Sequence, residues 1–335
     1  MKISLVSPIN ARKWAFLIAV SLAQALGQQK GQWVPGQFGL NAGAIPDPGL
    51  TYVNMAIGYS ASRLSDTQGN RVPGIGGSYS FWVDENIFYY VPKRKFLGGY
   101  FMPSVSINVA QGQLVADIQG TGLGLAGNGS GLADLFVQPL NIGWKFGKRV
   151  DFNTGYAFTA PTGRYTPGAG DNVGSGYWGH NVTSGTTVYL TKDQGATANF
   201  STIWETHGEK TVASVPGGRF SLIRPGQAFT QEWGLGQVVP LTKNQSQLMQ
   251  LGVVGYDQWQ TTRNEGSYIV AGLSVPASAV PRYSAHAIGF QANYILPAKD
   301  FLAYFKYYNE YLAFSRPQGR TLAFGFSWTR RIPKA

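Results

Sequence analysis

The chain has 335 residues, of which 44% are hydrophobic, 14% aromatic and only 13% charged, and its formal net charge is +11. The hydrophobic content excludes a disordered chain, and the charged fraction lies well below the roughly 25% of a typical soluble domain. Because the sequence contains no cysteine, disulfide bonds, thiolate catalysis and thiolate metal ligands are excluded.

Residues 1–27 have the pattern of a secretory signal peptide. Lys2, Arg12 and Lys13 precede a largely apolar run at residues 14–26, which ends in small residues. Basic charge, an apolar core and small residues in this order are typical of a signal peptide, and the run is too short for a bilayer-spanning helix. We therefore predict export, with cleavage after Ala25 or Gly27.

Residues 28–50 contain five glycines and three prolines and show no strand periodicity. We predict an irregular segment here. Periodicity leaves two positions open for it: it hangs in the periplasm, or it folds into the lumen of a barrel as a plug.

From residue 51 to the end, the chain is predicted to form one all-β, antiparallel transmembrane barrel of about twelve strands. A closed sheet is the only non-helical way to satisfy backbone polar groups in lipid. An even number of strands is expected of bacterial single-chain barrels. The predicted strands are 51–62, 77–91, 98–110, 132–146, 150–162, 177–190, 196–207, 227–240, 247–260, 283–295, 301–314 and 320–330.

Period-two alternation is the signal for these strands. Every second residue from Leu322 to Trp328 is large and apolar, whereas the residues between are alanine, glycine and serine. Residues 53–59 alternate in the same way. This period indicates a strand, and the large apolar face is expected to contact lipid. Pro103, Pro139 and Pro240 fall inside predicted strands and should mark bulges or strand ends.

The connections between the predicted strands alternate in length. Short connections fall near 92–97, 147–149, 191–195, 241–246 and 296–300, and each contains lysine or arginine. Longer connections fall near 63–76, 111–131, 163–176, 208–226 and 261–282, with a shorter one at 315–319. Outer-membrane barrels have short periplasmic turns and longer extracellular loops, so we predict a basic periplasmic rim.

Several motifs resemble a known family. They are Gly131–Asp134, Pro139–Trp144, Pro161–Tyr165, Asn172–Trp178 and Glu232–Leu241. The chain resembles, over roughly residues 50–330, the outer-membrane proteins labelled as involved in the meta-pathway of phenol degradation. The resemblance implies a membrane barrel that admits hydrophobic or aromatic compounds. One feature differs from many such barrels: Trp328 is followed by seven residues, so the aromatic signal for barrel-assembly machinery is displaced from the C-terminus.

Alternation also predicts which polar side chains face the lumen. In the strand at 301–314, Lys306 and Glu310 share one face, and Phe305 and Tyr311 share the other. Inward polar groups either fill the lumen as a structural network or select the permeating molecule, as charged pore rings do. The candidate lumen-lining residues are Asp151, Asn153, Asn181, Glu205, Gln291, Asn293, Tyr304, Lys306, Tyr308 and Glu310.

Four tryptophans, Trp178, Trp204, Trp259 and Trp328, are predicted to lie at the membrane interfaces. Outer-membrane barrels carry girdles of aromatic residues at both interfaces. The alternative is that these rings stack on a ligand.

No pattern of catalytic or cofactor-binding residues emerges. His180 and Ser184 share a strand face, but four residues at about 3.3 Å each place them roughly 13 Å apart, too far for a nucleophile and its base. His180, His207 and His286 do not have metal-ligand spacing. Residues 122–127 match G-x-G-x-x-G, but because no helix follows them we predict a flexible loop and no nucleotide site.

The sequence thus predicts an exported outer-membrane channel for passive uptake of small hydrophobic or aromatic compounds, and no enzyme. Its predicted partners are outer-membrane lipid, the permeating compound and barrel-assembly machinery, with no cofactor and no nucleic acid. Two alternatives stay open: a closed structural or surface barrel plugged by residues 28–50, and a barrel-embedded lipid hydrolase.

Overall fold

The computed structural model describes residues 32–34, 36–118, 123–214, 218–270 and 272–333. The predicted signal peptide, residues 1–27, lies outside these ranges. Within them, no helix is both long enough and apolar enough to cross a membrane.

Strands dominate the described residues. They are β1 (Gly49–Leu64), β2 (Ile75–Val91), β3 (Tyr100–Phe101), β4 (Ser104–Ile118), β5 (Leu123–Leu132), β6 (Leu135–Phe146), β7 (Val150–Ala160), β8 (Gly179–Tyr189), β9 (Ala196–His207), β10 (Lys210–Ala213), β11 (Phe220–Arg224), β12 (Ala228–Pro240), β13 (Leu248–Gln260), β14 (Glu265–Val270), β15 (Leu273–Pro276), β16 (Ser284–Leu296), β17 (Phe301–Phe314) and β18 (Pro317–Arg331). Short 3-10 helices lie at Gly39–Asn41, Ala277–Ala279 and Pro297–Lys299.

Fourteen of these strands form one closed antiparallel sheet. β1 pairs with both β2 and β18, so the first and last strands of the wall meet. β3 and β4 together occupy one place in the wall, because both pair with β6. β5 and β6 follow one another along the opposite edge of β4. The wall therefore has twelve strand positions, which confirms the predicted all-β barrel.

The two ends of the barrel differ. We call "turn end" the end with the short connections, which join β2 to β3, β6 to β7, β8 to β9, β12 to β13 and β16 to β17. The opposite end, with the long connections, is the "loop end". The basic side chains of the short connections are all exposed at the turn end: Lys93, Arg94, Lys95, Lys148, Arg149, Lys192, Lys243 and Lys299.

One predicted loop is wrong. Residues 111–131 were expected to form a long connection, but β4 and β5 stay paired from Val109↔Leu132 to Ile118↔Leu123. Residues 123–127 of the predicted flexible loop also belong to β5. The many glycines in this stretch are typical of a loop. The hydrogen bonds between paired strands come from the backbone, however, and need no side chain.

The three prolines lie where the ladder is interrupted, as predicted. Pro103 separates β3 from β4, and Pro240 is the last residue of β12. Pro139 lies within the register shift between Val137 and Leu140. Proline has no N–H to donate, so it is tolerated at such points of a sheet.

A second sheet caps the loop end. β10, β11, β14 and β15 pair in this order, which joins two loops that are distant in sequence. Ile223, Tyr268, Ala277 and Val280 form its buried apolar core.

The apolar face of β1 points inward, contrary to expectation. Met55, Ile57 and Tyr59 are at most 2% exposed, whereas Ser60 lies on the exposed face. Met55 and Ile57 pack with Tyr304, Ala323 and Val34 inside the barrel. Alternation defines two faces but not which one is inside, and beside β1 the inner side of the wall carries an apolar cluster.

Most other strands carry their large apolar side chains on the outside. In β18, Phe324 and Trp328 are 48% and 45% exposed, as predicted for a lipid-facing strand. A closed barrel with such an outer surface spans a membrane. The exposed apolar belt also includes Trp82, Phe88, Ile107, Val109, Leu140, Tyr156, Val182, Phe200, Leu235, Leu251, Val253, Ile288, Phe290 and Phe305.

Candidate functional site: the lumen and the segment inside it

The segment before β1 runs through the lumen. We call its described residues, 32–34 and 36–48, the lumenal segment. Near the loop end, the backbone N–H of Gln32 donates to Glu205 Oε1 over 2.8 Å. Near the turn end, the N–H of Gly43 donates to Thr187 Oγ1 over 3.0 Å. The segment therefore extends along most of the barrel before the chain enters β1.

Glu232 on β12 binds the backbone of this segment. Its Oε2 accepts hydrogen bonds from the N–H groups of Phe38 and Gly39 over 2.9 and 2.8 Å. Its Oε1 accepts one from Trp33 Nε1 over 3.0 Å. Both carboxylate oxygens are thus occupied, and hydrogen bonds to a charged group are stronger than neutral ones.

Lys306 on β17 binds the backbone carbonyl groups of the same stretch of the segment. Its ammonium donates to the carbonyl oxygens of Gly36, Gln37 and Phe38 over 2.9, 3.0 and 3.4 Å. An ammonium has three N–H donors, and all three are used here. Glu232 and Lys306 therefore hold opposite polar groups of one short stretch of backbone. Pairing with backbone groups also offsets the cost of burying the two charges.

Amide side chains hold the lower part of the segment. Gln291 Oε1 accepts from the N–H of Leu40 over 2.9 Å. Asn153 Nδ2 donates to the carbonyl of Ala42 over 3.1 Å, and Asn293 Nδ2 donates to Asn41 Oδ1 over 3.2 Å. The segment is thus tethered along its length to β7, β8, β9, β12, β16 and β17.

Three of the sequence motifs meet at the loop end: Gly131–Asp134, Pro161–Tyr165 and Asn172–Trp178. Asp134 accepts hydrogen bonds from the N–H of Gly163 (2.9 Å) and from the N–H and hydroxyl of Ser175 (2.7 and 2.5 Å). Gln32 Nε2 also donates to the Ser175 hydroxyl over 3.1 Å. Asp134 therefore folds the 161–178 loop inward, against the beginning of the lumenal segment.

A buried ion pair lies on the other side of the loop end. Arg316, in the connection between β17 and β18, donates to Glu310 Oε1 over 3.1 Å, and both side chains are almost fully buried. Glu310 also accepts hydrogen bonds from the hydroxyls of Tyr59 and Tyr256 (2.8 and 3.0 Å). This cluster ties the β17–β18 connection to β1 and β13.

A cavity of about 530 Å³ remains between the lumenal segment and the wall. Its lining is mixed, with carboxylate, amide and hydroxyl groups set among apolar side chains. The apolar side chains that line it include Val34, Phe38, Ile45, Val53, Met55, Phe81, Val83, Ile87, Met102, Phe136 and Leu302.

All ten candidate lumen residues lie on the inner side of the wall, although they do not form one ring. Five of them, Asn153, Glu205, Gln291, Asn293 and Lys306, bind the lumenal segment or one another. Glu310 belongs to the Arg316 cluster. Tyr308 packs on Tyr256 and Tyr304 on Met55. Near the turn end, Asp151 accepts from the hydroxyl of Tyr189. Asn181 lines the cavity.

Sequence reasoning missed Glu232, Glu85 and Arg316 as lumen residues. Glu232 could have been found, because it alternates with the outward Gln231 and Trp233 on β12. Arg316 could not have been found, because it lies in a connection, where no alternation of side chains indicates which residues face the lumen.

The four candidate interface tryptophans lie near strand ends. Trp178, Trp204 and Trp259 are near the loop end, and Trp328 is near the turn end. Trp178, Trp204 and Trp328 are between 41% and 51% exposed, and Trp259 is half-buried.

His180 and Ser184 are not brought together. The hydroxyl of Tyr156 is bonded to His180 Nδ1 over 2.7 Å, and Ser184 Oγ is bonded to the hydroxyl of Thr202 over 2.7 Å. The imidazole of His180 and the hydroxyl of Ser184 are thus each hydrogen-bonded to a different partner, and neither is bonded to the other among the described residues. Within the described ranges, no group of three or more histidine, aspartate or glutamate side chains could hold a metal ion.

Lys210 lies under the folded 161–178 loop. Its ammonium is 5.7 and 5.5 Å from the ring centres of Tyr165 and Tyr177, within the range of cation–π attraction. Burial lowers the pKa of Lys210 to about 8. A lysine in the unfolded chain keeps its proton to about pH 10.

We expect this burial to make the unfolding free energy rise with pH between about 8 and 10. In that window the unfolded chain binds one more proton than the folded chain, so higher pH favours folding, by at most about 1.4 kcal/mol per pH unit. Urea unfolding at pH 7, 8, 9 and 10 measures the slope. In the Lys210→Met variant, the rise of the unfolding free energy between about pH 8 and 10 should be smaller. Equal slopes in the variant and the wild-type chain would contradict a contribution of Lys210.

Residues 61–326 match the sequence profile of the family described as "Putative MetA-pathway of phenol degradation". The chain belongs to this family. Comparison with curated proteins found no match.

Solved structures of other proteins share the fold. An outer-membrane channel from Pseudomonas putida F1 superposes with a TM-score of 0.67 at 14% identity, over 89% of this chain and 100% of that chain. The β domain of the Bordetella autotransporter BrkA superposes with a TM-score of 0.52 at 11% identity, over 85% and 100%. At these identities the likeness concerns the fold alone. With its apolar outer belt, this fold belongs in the outer membrane.

Proposed function

We propose that this family member is an outer-membrane channel for the passive uptake of small hydrophobic or aromatic compounds, and that it acts without enzymatic chemistry. The cavity of about 530 Å³ inside the lumen carries this proposal. A pore for polar solutes would be lined by polar groups throughout, whereas valine, methionine, isoleucine and phenylalanine side chains form part of the lining of this cavity.

The size and lining of the cavity match those of small-molecule sites. Such sites hold about 300–1,000 Å³ and combine an apolar lining with a few polar groups that orient the ligand. An apolar ring compound gains free energy in proportion to the apolar area that it removes from water. Sugars of similar size lack that gain, so the lining favours apolar compounds.

The comparisons support this proposal at the level of the fold. One neighbour is described as an outer-membrane channel, and the family is described by a phenol-degradation pathway. We propose outer-membrane lipid, the permeating compound and the barrel-assembly machinery as partners.

The lumenal segment favours a second candidate, a closed structural barrel. Glu232 and Lys306 fix this segment across the lumen with six hydrogen bonds. In the channel hypothesis the segment is a gate or a constriction beside the cavity, and in the structural hypothesis it is a permanent plug.

Uptake into vesicles tests the channel. The mature chain is inserted into vesicles of phospholipid and lipopolysaccharide, and entry of toluene is compared with entry of xylose and with protein-free vesicles. We expect the protein to accelerate entry of toluene and to leave xylose excluded. Equal acceleration of both would indicate a general pore, and acceleration of neither would support the closed barrel.

A further inference from the structure

Glu85 is a buried carboxylate on the cavity wall. It lies on the inner face of β2, in register with Met55 on β1 and Asn108 on β4, and it is 3% exposed. Val83 and Ile87, its neighbours on the same face, also line the cavity. A carboxylate in such apolar surroundings is costly unless hydrogen bonds compensate for the lost water.

Within the described residues, Glu85 Oε2 is buried and accepts no hydrogen bond. Lys306 attracts Glu85 through space, but its three N–H groups are directed at backbone carbonyls of the lumenal segment. Glu232 and Glu310, by contrast, have donors on both oxygens. The other carboxylates that line the cavity, Asp134 and Glu205, bind the 161–178 loop and the backbone of Gln32. Among the described residues, Glu85 is thus the carboxylate that faces the cavity without holding the barrel or the segment together.

Several other unpartnered groups of the cavity are also acceptors. They include Oδ1 of Asn141 and Asn181 and Oε2 of Glu205. A carboxylate accepts hydrogen bonds and donates none when ionised. A compound that fits this wall would therefore be apolar over most of its surface and would carry a hydrogen-bond donor.

We propose that Glu85 is a selectivity residue, which binds the hydroxyl or amino group of a small aromatic compound while Met55, Val83 and Ile87 contact its ring. This role of Glu85 rests on the proposed function. It specifies in addition that the permeating compound carries a hydrogen-bond donor. The hydroxyl donates to Oε2, so no covalent step is involved.

Two fluorinated probes of equal shape test the proposal. 4-Fluorophenol carries a donor, and 4-fluorotoluene has a methyl group in its place. Their binding to the full mature chain in lipid nanodiscs is measured by fluorine NMR, with empty nanodiscs subtracted. We expect the phenol to bind about tenfold more tightly, which corresponds to the contribution of about one hydrogen bond.

Substitutions of Glu85 distinguish its role in selectivity from the ability of the channel to bind aromatic compounds. Glu85→Met should remove the preference for the phenol while leaving toluene-type binding intact, and Glu85→Gln, which keeps the shape, should reduce it. Asp84→Asn is the matched control, since residue 84 lies on the opposite, exposed face of β2. Mobility on unheated gels checks that each variant is folded.

The outcomes are distinct. Equal binding of both probes to the wild-type chain would overturn the role of Glu85 and leave an apolar channel, in which water meets the carboxylate. A preference that survives Glu85→Met would also overturn it. Binding of neither probe would overturn the proposed function, and the role of Glu85 with it.

Discussion

Removal of residues 28–46 is expected to raise the single-channel conductance of the barrel severalfold. The lumenal segment crosses the lumen, and its tethers to Glu232, Lys306 and Thr187 are side-chain contacts that the wall does not need for its own ladder. Without the segment, water and ions can fill the space that it occupies, and the freed charges become hydrated. Planar bilayer recordings of the chain that begins at residue 47 measure the effect.

A single substitution should displace the segment without shortening the chain. Gly185 lies on the inner face of β8, where an added Cβ would collide with the carbonyl oxygen of Ala42. We expect Gly185→Val to raise the conductance, whereas Ser184→Val, one residue away on the outer face, should not. Adding a peptide of residues 28–46 should block the truncated barrel. Identical conductance in the full and truncated chains would argue against a plug.

Replacement of Glu310 by glutamine is expected to destabilise the barrel by about 3 to 5 kcal/mol, the usual cost of removing one partner from a buried ion pair. Four donors converge on this carboxylate: the hydroxyls of Tyr59 and Tyr256, the Arg316 guanidinium and the N–H of Gly319. A glutamine would direct an NH₂ group at some of them and would leave the charge of Arg316 buried without a counter-ion. Urea unfolding from lipid vesicles gives the change in unfolding free energy.

Glu265→Gln provides a matched control at the same end of the barrel. Glu265 pairs with Arg224 over 3.0 Å, but its side chain is 68% exposed. Exposed pairs contribute less than about 1 kcal/mol, so this variant should unfold almost like the wild-type chain. Similar losses in both variants would mean that the Glu310 cluster contributes no more than a surface pair.

That Lys306 and Glu310 share one face could be predicted from the period of two of a strand. The inward direction of that face was expected because Phe305 and Tyr311 lie on the other face and large apolar side chains of outer-membrane barrels contact lipid. The partners of Lys306 could not. They are backbone carbonyls at residues 36–38, between 268 and 270 positions away in the chain. Every residue has a carbonyl group, so no side-chain pattern marks these three as acceptors.

Glu85 illustrates the same limit. The face of β2 on which Glu85 lies can be read from the alternation in the sequence. Whether its carboxylate accepts a hydrogen bond depends on which groups the ammonium of Lys306 donates to. That depends in turn on the path of the lumenal segment, which has no periodicity. A candidate binding group in this lumen is recognisable only after the contacts of its neighbours are known.

By itself, the sequence determined the twelve strand positions, the short basic turns and the interruptions at the three prolines, because these follow from local period and local turn chemistry. Only the tertiary structure decided that the apolar face of β1 points inward, that β4 and β5 extend past residue 110, and that two loops join in a second sheet. These features depend on which distant residues meet. Alternation divides a strand into two faces, and only the packing of the whole chain determines which face is buried.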